Sequence, residues 1–157
     1  CREIGLINGP TTLAPYRERY NGYQRAIGEL GLNETCAVSL EPGNSFEYGY
    51  QCTKELLAQN PDLDAIMAAV DIQGMGALRA LKDMDIHVPD QMRLISLTGH
   101  SIGGLLETSM TSLEIPAYEI GERATNMTIK EIESPSDAKP SVQHLVFSAV
   151  LVERESS

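Results

Sequence analysis

The sequence predicts an α/β fold, a parallel sheet with flanking helices, and three observations carry that prediction. Short apolar runs alternate four times with segments of helical period, which is the ordering of βα units. The length of 157 residues and the 42% apolar content suit a single domain-sized core. No apolar run approaches the ~18 residues that a membrane span requires, and even Ala65 to Val70 is followed at once by Asp71.

The elements follow in order. Ile4 to Ile7 reads as a buried strand stopped by Asn8-Gly9-Pro10, and Tyr16 to Leu30 as a helix with Tyr20, Tyr23, Ile27 and Leu30 on one face. Cys36 to Leu40 is a second strand, Pro42 to Ser45 a turn, and Phe46 to Ala58 a helix that Ser45 can cap. Ala65 to Val70 is a third strand, with Asp71 expected as the N-cap of a helix running to about Met84. Leu94 to Leu97 is a fourth strand, after which Gly99 to Gly104 opens a short helix. Pro116 suits the first position of a helix from Ala117 to Glu133, whose stripe is Ile120, Ala124 and Met127. Ser134 to Asp137 ends it, and the alternation over Val142 to Val152 predicts one or two final strands.

Charge and side-chain inventory then exclude several kinds of function. Twelve basic against 22 acidic residues leave a net charge of -10, which repels phosphate backbones. Tyr16 to Tyr23 does combine Arg17, Arg19 and three tyrosines, a pattern that can meet nucleic acid, but Glu18 and the overall acidity oppose it. Cys1, Cys36 and Cys52 lack CxxC spacing and are odd in number, so neither a disulfide framework nor a zinc site is indicated, and a reducing cytoplasm is the expected location. His87, His100 and His144 form no metal-binding pair; no metal and no cofactor are expected. Gly74-Met75-Gly76 lacks the third glycine of a dinucleotide loop and falls inside a predicted helix, where it reads as close packing.

One motif points to an enzyme. Gly99-His100-Ser101-Ile102-Gly103 satisfies G-x-S-x-G between a strand and a helix, resembling the nucleophile elbow of lipases and esterases. Asp137 and His144 follow in the chain order of a catalytic triad. The distance along the chain is short for the usual extra βα units, and no HGGG-type stretch offers a second oxyanion donor. A non-catalytic binding site is the stronger expectation. In open α/β sheets ligands bind outside the carboxyl ends of the strands, here the junctions Asn8 to Pro15, Pro42 to Ser45, Val70 to Gln73 and Thr98 to Ile102.

A specific resemblance supports that expectation. Ile4-Gly5-Leu6-Ile7-Asn8-Gly9-Pro10, Arg17-x-Arg19-x-x-Gly22-Tyr23, Gly49-Tyr50, Gly76 to Leu81, Val88-Pro89-Asp90, Thr111-Ser112 before Pro116 to Gly121, and the terminal Leu151 to Ser157 occur in the order and spacing of the lactose/galactose repressor family. The whole chain resembles the C-terminal half of that family's periplasmic-binding-protein-like core. The resemblance implies residues 1–113 and 141–157 as the C-terminal effector-binding subdomain, with 114–140 a helical segment of the N-terminal subdomain. It also implies that the N-terminal helix-turn-helix lies outside this chain, in keeping with a start at Cys1 rather than Met.

By the same resemblance, a small effector, most often a sugar, binds between two subdomains and switches a dimeric, cytoplasmic repressor. Arg19 keeps the arginine that reaches the effector, and its fork suits vicinal hydroxyls or carboxylates. Asn44 stands where relatives place an aromatic platform, Val70 where asparagine is common, and Thr98 where an aspartate accepts hydrogen bonds. Leu13 and Pro15 replace polar contacts, so a neutral ligand is expected, while Asp71 matches a widespread acidic position. Gly99 to Gly103 aligns with the loop after the fourth strand, which removes the need for a serine nucleophile. The family dimerises through helices that begin here near Phe46, Ile72 and Ile102, with Gly74, Gly76, Gly103 and Gly104 allowing close approach.

Overall fold

The computed structural model describes residues 1–38, 45–99, 101–134 and 142–157, and of Val38 and Ser101 it describes the backbone alone. The elements are β1 (Ile4–Asn8), α1 (Ala14–Leu30), β2 (Thr35–Val38), α2 (Phe46–Gln59), β3 (Ala65–Ala68), α3 (Asp71–Asp83) and β4 (Arg93–Gly99). A five-residue 3-10 helix (Ser101–Leu105), β5 (Thr111–Glu114), α4 (Ala117–Glu133) and β6 (Val150–Val152) complete the order. The chain divides into two units, Cys1–Glu114 with Leu151–Ser157, and Ile115–Val150.

The sheet order is β2-β1-β3-β4-β5-β6, and the pairs β1–β2, β1–β3, β3–β4 and β4–β5 are all parallel. In this doubly wound order the chain leaves β1 in one direction and returns past it to β3, so the β1/β3 boundary is the topological switch point. Successive residues of β1 face opposite sides of the sheet. Leu6 packs with Tyr23 and Ile27 of α1, whereas Ile7 packs with Cys52 and Leu56 of α2 and Ala77 and Leu81 of α3. Each side of the switch point is thereby sealed by its own helix layer.

Local sequence explains the helix ends. Ser45 Oγ accepts a hydrogen bond from Tyr48 N at 3.0 Å, capping α2 as expected. Asp71 is not the cap of α3: Val70 holds that position in an extended conformation, and Asp71 is the first helical residue, where a carboxylate favours the positive end of the helix dipole. Leu30, expected on the apolar face of α1, is 68% exposed, because Gly31 in the left-handed conformation ends the helix there and Leu32 turns inward instead.

The glycines of α3 settle another expectation. A Cβ on Gly76 would strike the carbonyl oxygen of Phe46, one on Gly49 would strike that of Gln73, and one on Gly74 would lie 2.6 Å from Met110 Sδ. Gly74 and Gly76 therefore serve packing inside the chain, as the close-packing reading holds, and are not exposed for a second copy. Gly103 and Gly104 sit 3.9 and 3.5 Å from the Arg154 guanidinium by the same measure.

Two strand predictions are corrected. β5 was not anticipated; its four residues, Thr-Ser-Leu-Glu, hold a single large apolar side chain, and it exists because β4 lends it a parallel partner. Conversely, residues 142–149 form no strand despite their alternation, and Val142 and Val146 are 96% and 86% exposed. Alternation without a neighbouring edge to pair with does not make a strand. In the second unit, α4 spans the expected Ala117–Glu133 and buries none of its residues. No described helix is long and apolar enough to cross a membrane.

Candidate ligand-binding site

Because β1, β3 and β4 run parallel, their carboxyl ends share one edge, and hydrogen bonds tie that edge together at the switch point. Ala69 N donates to Ile7 O at 2.9 Å, and Thr98 Oγ1 to Ala69 O at 3.5 Å. Asn8, fully buried at the end of β1, donates from Nδ2 to Tyr16 O at 3.1 Å, which fixes the first turn of α1. Tyr48 Oη donates to Asn8 O at 2.9 Å, which fixes the first turn of α2. Burial pushes the Tyr48 hydroxyl above its ordinary range, so it stays protonated and able to donate. Two helix starts thus converge on the ends of β1 and β3, with the α3 start alongside.

The described residues among those expected to bind ligand stand at strand ends or on the helices that follow them. Arg19 is half-buried on α1, its Cζ 5.6 Å from the centroid of the Tyr16 ring. Burial lowers its guanidinium from the ordinary value, while the Tyr16 phenol opposes the shift. Among the described residues no carboxylate lies within ion-pair distance of Arg19, unlike Arg17, which is exposed and pairs with Glu18. Leu13 and Pro15 are exposed at the start of α1, where Leu13 O accepts from Tyr16 N and Arg17 N. Val70 is half-buried at the cap of α3, Asp71 is buried beside it, and Thr98 is half-buried near the end of β4. Asn44 lies outside the described residues.

Sequence reasoning named Asn8 and Gln73 only as bounds of two rim junctions and Tyr16 only within the tyrosine-arginine stretch, and it passed over Tyr48. Asn8 was legible as a strand stop beside Gly9-Pro10 and as the start of a rim junction, but not as the residue that joins β1 to both helices. Tyr16 and Tyr23 are only 5% and 3% exposed, and Tyr23 Oη donates to Ile4 O at 2.7 Å, so the tyrosine-arginine stretch offers no stacking platform to nucleic acid. Gln73 is fully buried in the first turn of α3.

Among the described residues the features of an esterase are not found together. β4 runs into a 3-10 helix of only five residues where an elbow requires a helix long enough to back the turn. His144 is exposed on a segment without strand structure, and His100 and Asp137 lie outside the described residues. The described residues contain no His/Cys/Asp/Glu cluster able to hold a metal. Cys36 packs on the α1 side of the sheet and Cys52 on the α2 side, and all three cysteines are free thiols. Burial pushes the Cys36 thiol up to about 12, which disfavours the reactive thiolate.

A doubly wound sheet with helix starts at its switch point is the arrangement in which open α/β proteins hold ligands. Over residues 1–157 the chain matches the periplasmic binding protein-like domain, and it belongs to that family. Among curated proteins it is 29% identical over 133 residues to the ribose operon repressor of Halalkalibacterium halodurans, covering 85% of this chain and 39% of that protein. It is 28% identical over 155 residues to the HTH-type transcriptional regulator CelR of Thermobifida fusca, covering 99% and 45%. Among solved structures it is similar to a protein from Actinobacillus succinogenes, with a TM-score of 0.87 and 25% identity over 99% of this chain and 55% of that one. A LacI family transcriptional regulator from Arthrobacter sp. FB24, solved in complex with lactose, gives a TM-score of 0.84 at 23% identity over 99% and 57%. The resemblance to the lactose/galactose repressor family is thus borne out, and the chain spans less than half the length of these curated relatives.

Proposed function

We propose that this chain is the C-terminal part of the effector-binding core of a sugar-responsive transcriptional repressor, and that it performs no catalysis. Operator DNA is contacted by a helix-turn-helix outside these residues, consistent with the net charge of -10 here. In this reading residues 1–113 and 141–157 form one jaw of a hinged cytoplasmic sensor, and 114–140 belong to the other jaw. Effector bound at the switch-point edge favours one hinge state by the difference in its affinity for the two, which sets the size of the switch.

The observation that carries the proposal is Arg19, a half-buried guanidinium without a described carboxylate partner, at the edge where the doubly wound topology places ligands. Asp71 and Thr98 supply acceptors for hydroxyls, Val70, Leu13 and Pro15 leave their part of the edge uncharged, and Asn44 completes the set; a neutral sugar fits that balance. The repressor is a homodimer through the α2–α3 face. Calorimetric titration of the intact protein with a panel of neutral sugars tests the assignment. Arg19→Ala is expected to weaken binding of the recognised sugar at least tenfold, the loss of about 1.5–3 kcal/mol that a charge-assisted hydrogen bond carries. Unchanged affinity removes Arg19 from the site.

A further inference from the structure

We propose that Tyr16 is the positioning residue for effector recognition: its ring, seated on the bare backbone of Gly9, holds the Arg19 guanidinium at the strand-end edge. The inference rests on the reading of Arg19 as an effector contact and adds what orients it.

The geometry begins at Gly9. A Cβ there would lie 2.6 Å from Tyr16 Cζ and 2.7 Å from both Cε1 and Cε2. Near-equal distances to three consecutive ring atoms place Gly9 against the face of the ring, at a separation that only glycine permits. The ring is consequently 5% exposed, and the Asn8 Nδ2 bond to Tyr16 O pins the backbone that carries it. Tyr16 cannot change rotamer without leaving this seat.

Arg19 follows three residues later on α1, the spacing that stacks side chains on one helix face. Its guanidinium lies over the Tyr16 ring at 5.6 Å, within the range of a cation–π contact. No described carboxylate competes for it, so the ring is what orients the fork. A cation–π contact engages at most part of a guanidinium, whose five N–H donors leave others available to a ligand. Those donors are what a pair of vicinal hydroxyls would meet. Arg17, two residues earlier, provides the contrast: exposed, without a ring contact, and paired only with its neighbour Glu18. A long side chain already held in its binding geometry loses less freedom when ligand arrives, which raises affinity without adding a ligand contact.

Two measurements on the intact protein separate this proposal from the reading beneath it. In the ligand-free protein, the Arg19 Nε–Hε proton is expected to be shifted upfield by the aromatic ring current in the wild type and in Tyr16→Phe, and to return to its random-coil position in Tyr16→Leu. An unshifted proton in the wild type overturns the positioning role whatever the ligand does. Calorimetry then uses D-ribose and lactose as probes. For a sugar that binds, Tyr16→Leu is expected to lose about fivefold in affinity, Tyr16→Phe to stay within about twofold, and Tyr16→Leu to cost nothing more when Arg19 is already alanine. An equal loss in Tyr16→Leu with and without Arg19 overturns the proposal. A normal ring-current shift with unchanged affinity in Arg19→Ala instead rejects Arg19 as the effector contact and leaves the stack intact. If neither sugar binds, or Tyr16→Leu fails to fold, the wild-type and Tyr16→Phe shifts decide.

Discussion

Ser156 is fully buried one residue from the end of the chain because it stands in for a stretch of sheet. Its Oγ accepts from Thr111 N at 2.9 Å and donates to Leu94 O at 2.6 Å, while its backbone N donates to Ser109 O and its backbone O accepts from Leu94 N. Nearby, Arg154 donates to Met110 O and Ser112 Oγ, each at 2.8 Å, and to Glu114 Oε1 at 2.6 Å. The closing residues 154–156 thus fasten the ends of β4 and β5. Alanine at 156 would leave the buried Thr111 N–H without its acceptor, and an unsatisfied buried donor costs about 1–3 kcal/mol. Urea unfolding of Ser156→Ala should show a loss of that size with an unchanged denaturant slope; a loss below 0.5 kcal/mol, on the order of a surface change, would make the bridge incidental. In the sequence this tail was legible as a matching motif, but nothing in Arg154-Glu155-Ser156 announces a buried serine. Its partners lie more than 40 residues away.

At the scale of elements, the α2–α3 crossing shows how packing decides which face is left for a partner. Gly49 and Gly76 bring the two backbones together, so their side of each helix is consumed within the chain. Outward there remains a cleft of about 790 Å³ lined in part by Phe46, Met75, Leu78, His87 and Leu106, with Arg79 and Lys82 at its side. Lys82 pairs with Glu107 and Arg79 with Asp83, while Asp85 and Asp90 also line the cleft, so its rim carries an acidic excess. Phe46 is 40% exposed there, an aromatic anchor of the kind that dominates interfaces. If the proposed homodimer uses this face, Phe46→Glu in the intact protein is expected to halve the mass found by sedimentation while leaving the urea midpoint of the monomer unchanged. A retained dimer would place the interface elsewhere.

The same elements show what was readable. Helices α1, α2, α3 and α4 follow from spacing and punctuation, and Ser45 from its short oxygen ahead of an apolar run. β5 and residues 142–149 did not follow, since a four-residue strand is made by its neighbour and an alternating segment by the presence or absence of one. For the site, the edge was legible because strand ends and glycine-rich junctions mark it. The Tyr16–Gly9 contact was not, because Gly9-Pro10 is read as a turn until the fold sets a ring upon it.

For the whole molecule, the division into two units places the self-sufficient core in one of them. Among the described residues, the unit of Cys1–Glu114 with Leu151–Ser157 contains every fully buried large side chain, among them Leu6, Ile7, Ile66, Leu81 and Leu94. In Ile115–Val150, α4 buries nothing, and Tyr118, Ile132 and Val146 are 79%, 77% and 86% exposed. Of the expected stripe, Ile120 and Met127 are half-buried and Ala124 is exposed; a helix of 17 residues is marginal in water without a surface to pack on, and exposed apolar side chains such as Tyr118 and Ile132 mark an interface. The proposed assignment of 114–140 to the second jaw supplies that surface. Hydrogen exchange should then depend on what accompanies the chain. In the 157-residue chain alone, the amides of α4 are expected to exchange at least about 100-fold faster than those of α3, as expected for an element outside the cooperative core. In the intact protein, where the proposed second jaw would accompany it, α4 should approach the protection of α3. Equal, high protection of α4 in the isolated chain would show that the stripe is covered without the other jaw, and the assignment of that helix would fall with it.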